Sequence, residues 1–111
     1  MQWVLGSTAG QSCDAVCGLQ GTAMTCYGAA AFKEVATQAY YEDNVNNGQA
    51  GCSGGTDSSS DSYAPYQSGS SCYYGDDGTC DSSLFDTTRF CPCACPAGQY
   101  SDTGSTAACQ S

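Results

Sequence analysis

The sequence predicts a small disulfide-rich α+β domain: two short helices, a few short strands and long loops. Three observations carry that expectation. Ten cysteines in 111 residues, about 9 %, fall in the range of short secreted disulfide scaffolds. The large aliphatics and phenylalanines number only ten (Val4, Leu5, Val16, Leu19, Phe32, Val35, Val45, Leu84, Phe85 and Phe90), and the net charge of −9 repels itself. Without cross-links that composition reads as disordered. Cys13 and Cys17 lie four apart, and Cys91 and Cys93 two apart. The first pair therefore shares a face of a helix and the second a face of a strand, so the two pairs can close as parallel rungs. Each native disulfide contributes roughly 2–4 kcal/mol, enough for four or five to replace much of the missing core. Such a chain needs an oxidising compartment, and the expected location is extracellular.

The elements follow in order. Trp3-Val4-Leu5 starts a strand that Gly6 and Gly10 end. Ser12 offers an N-cap hydroxyl, Asp14 sits in the first turn against the helix dipole, and Gly21 can end the helix. Cys13, Val16, Cys17 and Gln20 share one face of it. Thr22 to Tyr27 is a strand carrying Cys26. Ala30 to Tyr40 is the strongest helical segment, with Phe32, Val35, Ala36, Ala39 and Tyr40 at helical spacing; Asn46-Asn47-Gly48 stops it. From Gly51 to Ser71 the chain turns to Ser, Gly and Asp, which predicts a loop anchored by Ala64-Pro65-Tyr66 and pinned by Cys52 and Cys72. Asp76-Asp77-Gly78 reads as a turn. Thr87 to Cys93 is a closing strand, which Pro92 would place at a sheet edge. A module boundary is expected near Ala94, dividing the chain into 1–93 and 94–111.

Several functions lack their chemistry. There is no histidine, and Lys33 and Arg89 are the only basic side chains, so nucleic acid and anionic lipid are poor partners. No apolar run is long enough for membrane insertion. A hydrolase triad needs a base to take the nucleophile's proton, and without histidine the many serines imply no catalysis. The adjacent acids Asp76-Asp77 and Glu42-Asp43 read as solvated surface rather than a glycosidase pair. Zinc is suggested by the spacing of Cys13 and Cys17 and the density of Cys91, Cys93 and Cys95, but disulfides suit the composition better. Asp57-x-Ser59-x-Asp61 begins like a calcium loop yet lacks its later glycine and glutamate. No cofactor, metal or catalytic residue is expected. Met1 opens no signal peptide, since no basic segment precedes the short Trp3-Val4-Leu5 run. The chain is therefore expected to be a mature fragment or an excised module carrying an added Met.

Gly10-Gln11-Ser12-Cys13-Asp14-Ala15-Val16-Cys17, closing far downstream in Arg89-Phe90-Cys91-Pro92-Cys93, resembles a known module. It is similar to the cysteine-rich segment at the C-terminus of N-acetylglucosaminyltransferase V and to related modules of secreted algal and protist proteins. Cys26, Phe32, Cys52, Cys72 and Cys80 fall in the family's order. The tail, Cys95-Pro96-Ala97-Gly98-Gln99-Tyr100-Ser101 through Cys109, is similar to one ephrin-receptor-like cysteine-rich repeat. Ten cysteines allow roughly 945 pairings. The expected one is Cys13–Cys91, Cys17–Cys93, Cys26–Cys80, Cys52–Cys72 and Cys95–Cys109. Same-face geometry suggests the first two, the next two nest inside them, and the tail pair remains; the resemblance implies the same nesting for the first eight. No transferase domain is present, so the resemblance implies a stabilising or interaction role.

The expected function is a non-catalytic structural or interaction module of a secreted, surface or filament-forming glycoprotein. Its partners would be other extracellular modules, copies of itself or glycans. The alternatives are a carbohydrate-binding module using loop tyrosines and an accessory domain of a glycan-modifying enzyme. Trp3, Tyr63, Tyr66, Tyr73 and Tyr74 are candidates for an aromatic surface. Arg89 is expected either to pair with Asp14 beside the disulfides or to offer a hydrogen-bond fork to a partner. Thr56 to Ser62 and Ser101 to Thr106 are expected to be exposed and open to O-glycosylation.

Overall fold

The computed structural model describes residues 2–20 and 24–95. In chain order its elements are β1 (Gln2–Leu5), α1 (Cys13–Gly18), β2 (Thr25–Cys26), α2 (Ala29–Phe32) and α3 (Gln38–Tyr40). A π-helical turn, Tyr41–Asn46, continues α3, and β3 (Thr56–Ser58), β4 (Tyr66–Ser68), β5 (Ser71–Tyr74) and β6 (Thr88–Ala94) complete the chain. The architecture is mixed α+β and disulfide-rich, as the composition predicts.

The closing strand is the hub. The sheet runs β1-β6-β4-β5-β3, with β2 also paired to β6. Pro92 is therefore central rather than at an edge, contrary to expectation, and the register explains why. Gly6 N donates to Arg89 O at 2.9 Å, so the two-residue alternation makes Trp3↔Pro92 a pair that exchanges no backbone bonds. The N–H that Pro92 lacks is not one β1 would use. On its other side β4 pairs only as far as Arg89 and β2 begins at Cys93, and Tyr27 N donates to the Pro92 carbonyl at 2.7 Å.

Among the described residues four disulfides close: Cys13–Cys91, Cys17–Cys93, Cys26–Cys80 and Cys52–Cys72, spanning 78, 76, 54 and 20 residues. These are the pairs expected for the first eight cysteines. The expected Cys95–Cys109 pair, the tail repeat, the Gly21 stop and the start of the Thr22 strand lie outside the described residues. The rungs work because α1 and β6 have the assumed local geometry. Ser12 caps α1, its hydroxyl accepting from Ala15 N at 3.2 Å, and this holds Cys13 and Cys17 one turn apart. All four rung cysteines are fully buried beside Val16, Phe32, Val35, Tyr41, Val45 and Phe90. The cystines thus fill core volume that aliphatic side chains would otherwise supply.

Two expectations about elements are corrected. Ala30 to Tyr40 is not one helix. Thr37 adopts extended backbone and caps a new start, its hydroxyl accepting from Tyr40 N at 3.2 Å. A capping hydroxyl competes with helix continuation, so the segment splits into α2 and α3. The Gly51 to Ser71 segment is not only loop: it contributes β3 and β4 to the sheet. β3 runs parallel to β5, Thr56↔Cys72 through Ser58↔Tyr74, and β4 runs antiparallel to it. Their backbone bonds require no apolar side chains, so the polar composition hid them.

Candidate functional site

Arg89, placed by β6 two residues before Cys91, is 1 % exposed. Its Nη1 donates to the carbonyls of Thr79 at 2.7 Å and Ser82 at 2.6 Å, and its guanidinium lies 5.5 Å from the centre of the Phe32 ring. Burial lowers its pKa to about 10, while Asp81 and Asp14 oppose that fall. Both sequence readings of Arg89 are thereby revised. It makes no ion pair with Asp14; among the described residues the ion pair within 4 Å is Lys33–Asp77 at 3.9 Å. Nor is it on a partner surface: it is buried, its Nη1 held by the Thr79 and Ser82 carbonyls of the 75–87 loop. Its work is to tie that loop to β6 through backbone carbonyls.

The aromatic candidates separate into two groups. Tyr66 stacks on Tyr73 with centroids 4.7 Å apart and planes 20° apart, and Tyr63 leans on Tyr66 at 5.1 Å. Tyr66 is buried; Tyr63, Tyr73 and Tyr74 are half-buried. These rings spend much of their face area on each other. Burial raises the pKa of Tyr63 and Tyr66, with Asp61 adding to both. Trp3 stands elsewhere, buried in β1 with its ring edge against Phe32 at 5.8 Å.

Around Trp3 lies a set of carboxamides that sequence reasoning passed over. Gln49 Nε2 donates to Trp3 O at 3.0 Å and Val45 O at 2.9 Å, while its Oε1 accepts from Leu5 N at 2.7 Å. Trp3 and Leu5 are the β1 residues whose backbone points away from β6, so the Gln49 amide occupies the place of a neighbouring strand's peptide group. Asn46 brackets Ala50 in the same way, Oδ1 accepting from Ala50 N at 2.7 Å and Nδ2 donating to Ala50 O at 3.1 Å. The turn ends at Asn47, whose φ of 42° is left-handed, a conformation asparagine tolerates. In the sequence Asn46-Asn47-Gly48 signals only a helix stop, and Gln49 carries no signal.

Cys26 and Cys80 lie with Asp14 in a group of metal-ligand type. Their sulfurs are bonded to each other and offer no thiolate. The same holds for Cys13, Cys17, Cys91 and Cys93, four of the five cysteines whose spacing and density suggest zinc. Every described carboxylate is exposed except half-buried Asp76. No helix of the described residues is long and apolar enough to cross a membrane. The chain matches no protein-family model, no curated protein and no solved structure.

Proposed function

We propose that this chain is a non-catalytic, extracellular structural or interaction module, one unit of a larger secreted or surface protein. The observation that carries the reading is the pair of rungs Cys13–Cys91 and Cys17–Cys93, which clamp the first helix to the last strand over 78 and 76 residues. Cross-links of that span restrict the unfolded chain most and stand where a small core is insufficient. The carboxylates support the same reading. Among the described residues all but half-buried Asp76 are exposed to solvent.

The experiment compares production in an oxidising secretory compartment with production in a reducing cytosol, followed by thiol titration of the purified chain. Folded protein with defined near-ultraviolet signal is expected only from the oxidising compartment, and a thiol reductant at neutral pH should abolish that signal. A fully reduced chain that keeps its native signal would contradict the extracellular reading.

A further inference from the structure

We propose that the cleft between β1 and the π-helical turn binds a neutral saccharide. The inference is independent of the loop tyrosines and goes beyond a structural role. The cleft encloses about 440 Å³ and is lined by Gln2, Trp3, Tyr40, Asn44, Asn47 and Gln49. Its lining is notable for what this chain otherwise lacks. The protein carries 11 acidic residues and a net charge of −9, yet none of the six lining side chains is a carboxylate. Four are carboxamides. A carboxamide presents a donor pair and an acceptor side by side, matching the adjacent hydroxyls of a sugar. An anionic ligand would find no counter-charge among the lining side chains.

The lining groups divide their work. Gln49 is fully spent on Trp3, Leu5 and Val45, so it builds the wall rather than meeting a ligand. Asn44 Nδ2 donates to Tyr40 O at 3.3 Å, which fixes the side chain and leaves Oδ1 to accept. Asn47, three residues further on, is exposed at the rim. The Tyr40 hydroxyl donates to Glu34 Oε2 at 2.6 Å, so its oxygen is turned to accept and its half-buried ring offers an apolar face with a polar tip. Of the lining residues, Trp3 and Gln2 each carry a buried side-chain atom, Nε1 and Oε1, with no hydrogen-bond partner among the described residues. Trp3 itself is 6 % exposed. Its indole N–H lies near the Tyr40 hydroxyl, close enough to oppose the rise in that group's pKa, but without hydrogen-bond geometry. The unpartnered Gln2 Oε1 is an acceptor that a ligand hydroxyl can satisfy. Gln2 and Tyr40, both half-buried, are the side chains that give way to admit it. Pi-helical turns occur frequently at functional sites, and this one carries Asn44.

The test uses the oxidised, folded chain in a two-dimensional amide NMR titration. The probes are glucose, galactose, mannose, N-acetylglucosamine and glucuronate, each to about 50 mM, a range that detects millimolar dissociation constants. At least one neutral sugar should give saturable shifts at Trp3, Asn44 and Asn47, with glucuronate weaker. Asn44→Ala and Asn47→Gly, the latter keeping the left-handed backbone accessible, should each weaken binding about tenfold while the thermal midpoint stays near wild type. Absence of saturable shifts with every neutral sugar overturns the proposal. So do shifts confined to Tyr63, Tyr66 and Tyr73, preference for glucuronate, or binding indifferent to both substitutions. None of those outcomes affects the reductant test, so failure here leaves the structural reading standing.

Discussion

The side-chain amide of Gln49 completes the outer edge of the first strand at Trp3, donating to its carbonyl at 3.0 Å. The same amide accepts from Leu5 N at 2.7 Å and donates to Val45 O at 2.9 Å. One residue thereby seals a sheet edge that would otherwise be open to pairing and anchors the π-helical turn to it. Gln49→Ala removes all three bonds and is expected to destabilise the fold by roughly 2 kcal/mol, since net hydrogen-bond contributions are about 1 kcal/mol and some groups regain water. Gln49→Glu keeps the acceptor but turns its second oxygen on the Trp3 and Val45 carbonyls, and should cost at least as much. The check is the urea midpoint at unchanged slope; an Ala variant as stable as wild type would remove Gln49 from this role.

Tyr41 makes alkaline pH the vulnerable side. Its hydroxyl is buried without a partner among the described residues, its ring edge-on to Phe90 at 5.3 Å. Burial, with Glu42 adding, raises its pKa well above the ordinary 10.0. Above that value the unfolded chain releases the proton and the folded chain keeps it, so this stability is complete below about pH 10 and is lost as pH rises. Tyr40, Tyr63 and Tyr66 shift the same way. Arg89 has the opposite sign: its folded pKa is lowered to about 10, so the folded state loses that proton first and gains relative stability with pH. One arginine against four phenols leaves a net fall above pH 10. Tyr41→Phe should raise stability at neutral pH by roughly 1 kcal/mol, because no buried hydroxyl is left unpaired. It should also flatten the alkaline loss measured by denaturation from pH 8 to 11.

The two rungs should be partly redundant. With Cys13–Cys91 intact, Cys17–Cys93 closes only a small ring, whereas the first rung to form closes a long one. Chain-entropy arguments scale with the logarithm of that length. Removing both rungs as Cys→Ala pairs should therefore cost more than the sum of the two single-rung removals, by on the order of 1 kcal/mol. Additive losses in the double-mutant cycle would mean that the rungs stabilise through packing alone.

Gly78 is fixed by space. A Cβ there would collide with the Ala64 carbonyl and the Phe32 ring. The backbone next to it is held by Thr79 N donating to Ser62 O at 2.9 Å and by Arg89 on the Thr79 carbonyl. Gly78→Ala should destabilise by about 1–3 kcal/mol through overpacking. Gly18→Ala, where a Cβ meets nothing within 4 Å, should be neutral or slightly stabilising and serves as the control. Thermal midpoints of the pair decide it.

What the sequence disclosed depended on which interactions leave a periodic trace. Cys13 and Cys17 at one helical turn, with Ser12 before them, specify both a helix and its buried face. The Cys91–Cys93 alternation specifies a strand. β3 and β4 left no such trace, because Thr56–Ser58 and Tyr66–Ser68 pair through backbone groups that every residue carries. Thr37 and Pro92 misled for a related reason. A capping hydroxyl inside an apolar period, or a proline facing a gap between two half-strands, can be placed only once the neighbours are known. Gln49 was illegible because its partners are backbone atoms of Trp3 and Leu5, 46 and 44 residues away.

The claim on which the rest depends is that the last strand is clamped to the first helix by two parallel cross-links. Proteolytic peptide mapping of the unreduced, alkylated chain by mass spectrometry tests it directly. The expected species join the peptide carrying Cys13 and Cys17 to the one carrying Cys91 and Cys93, with cleavage between the rungs giving Cys13–Cys91 and Cys17–Cys93, alongside Cys26–Cys80 and Cys52–Cys72. A Cys13–Cys17 or Cys91–Cys93 bond in the folded protein would contradict the account.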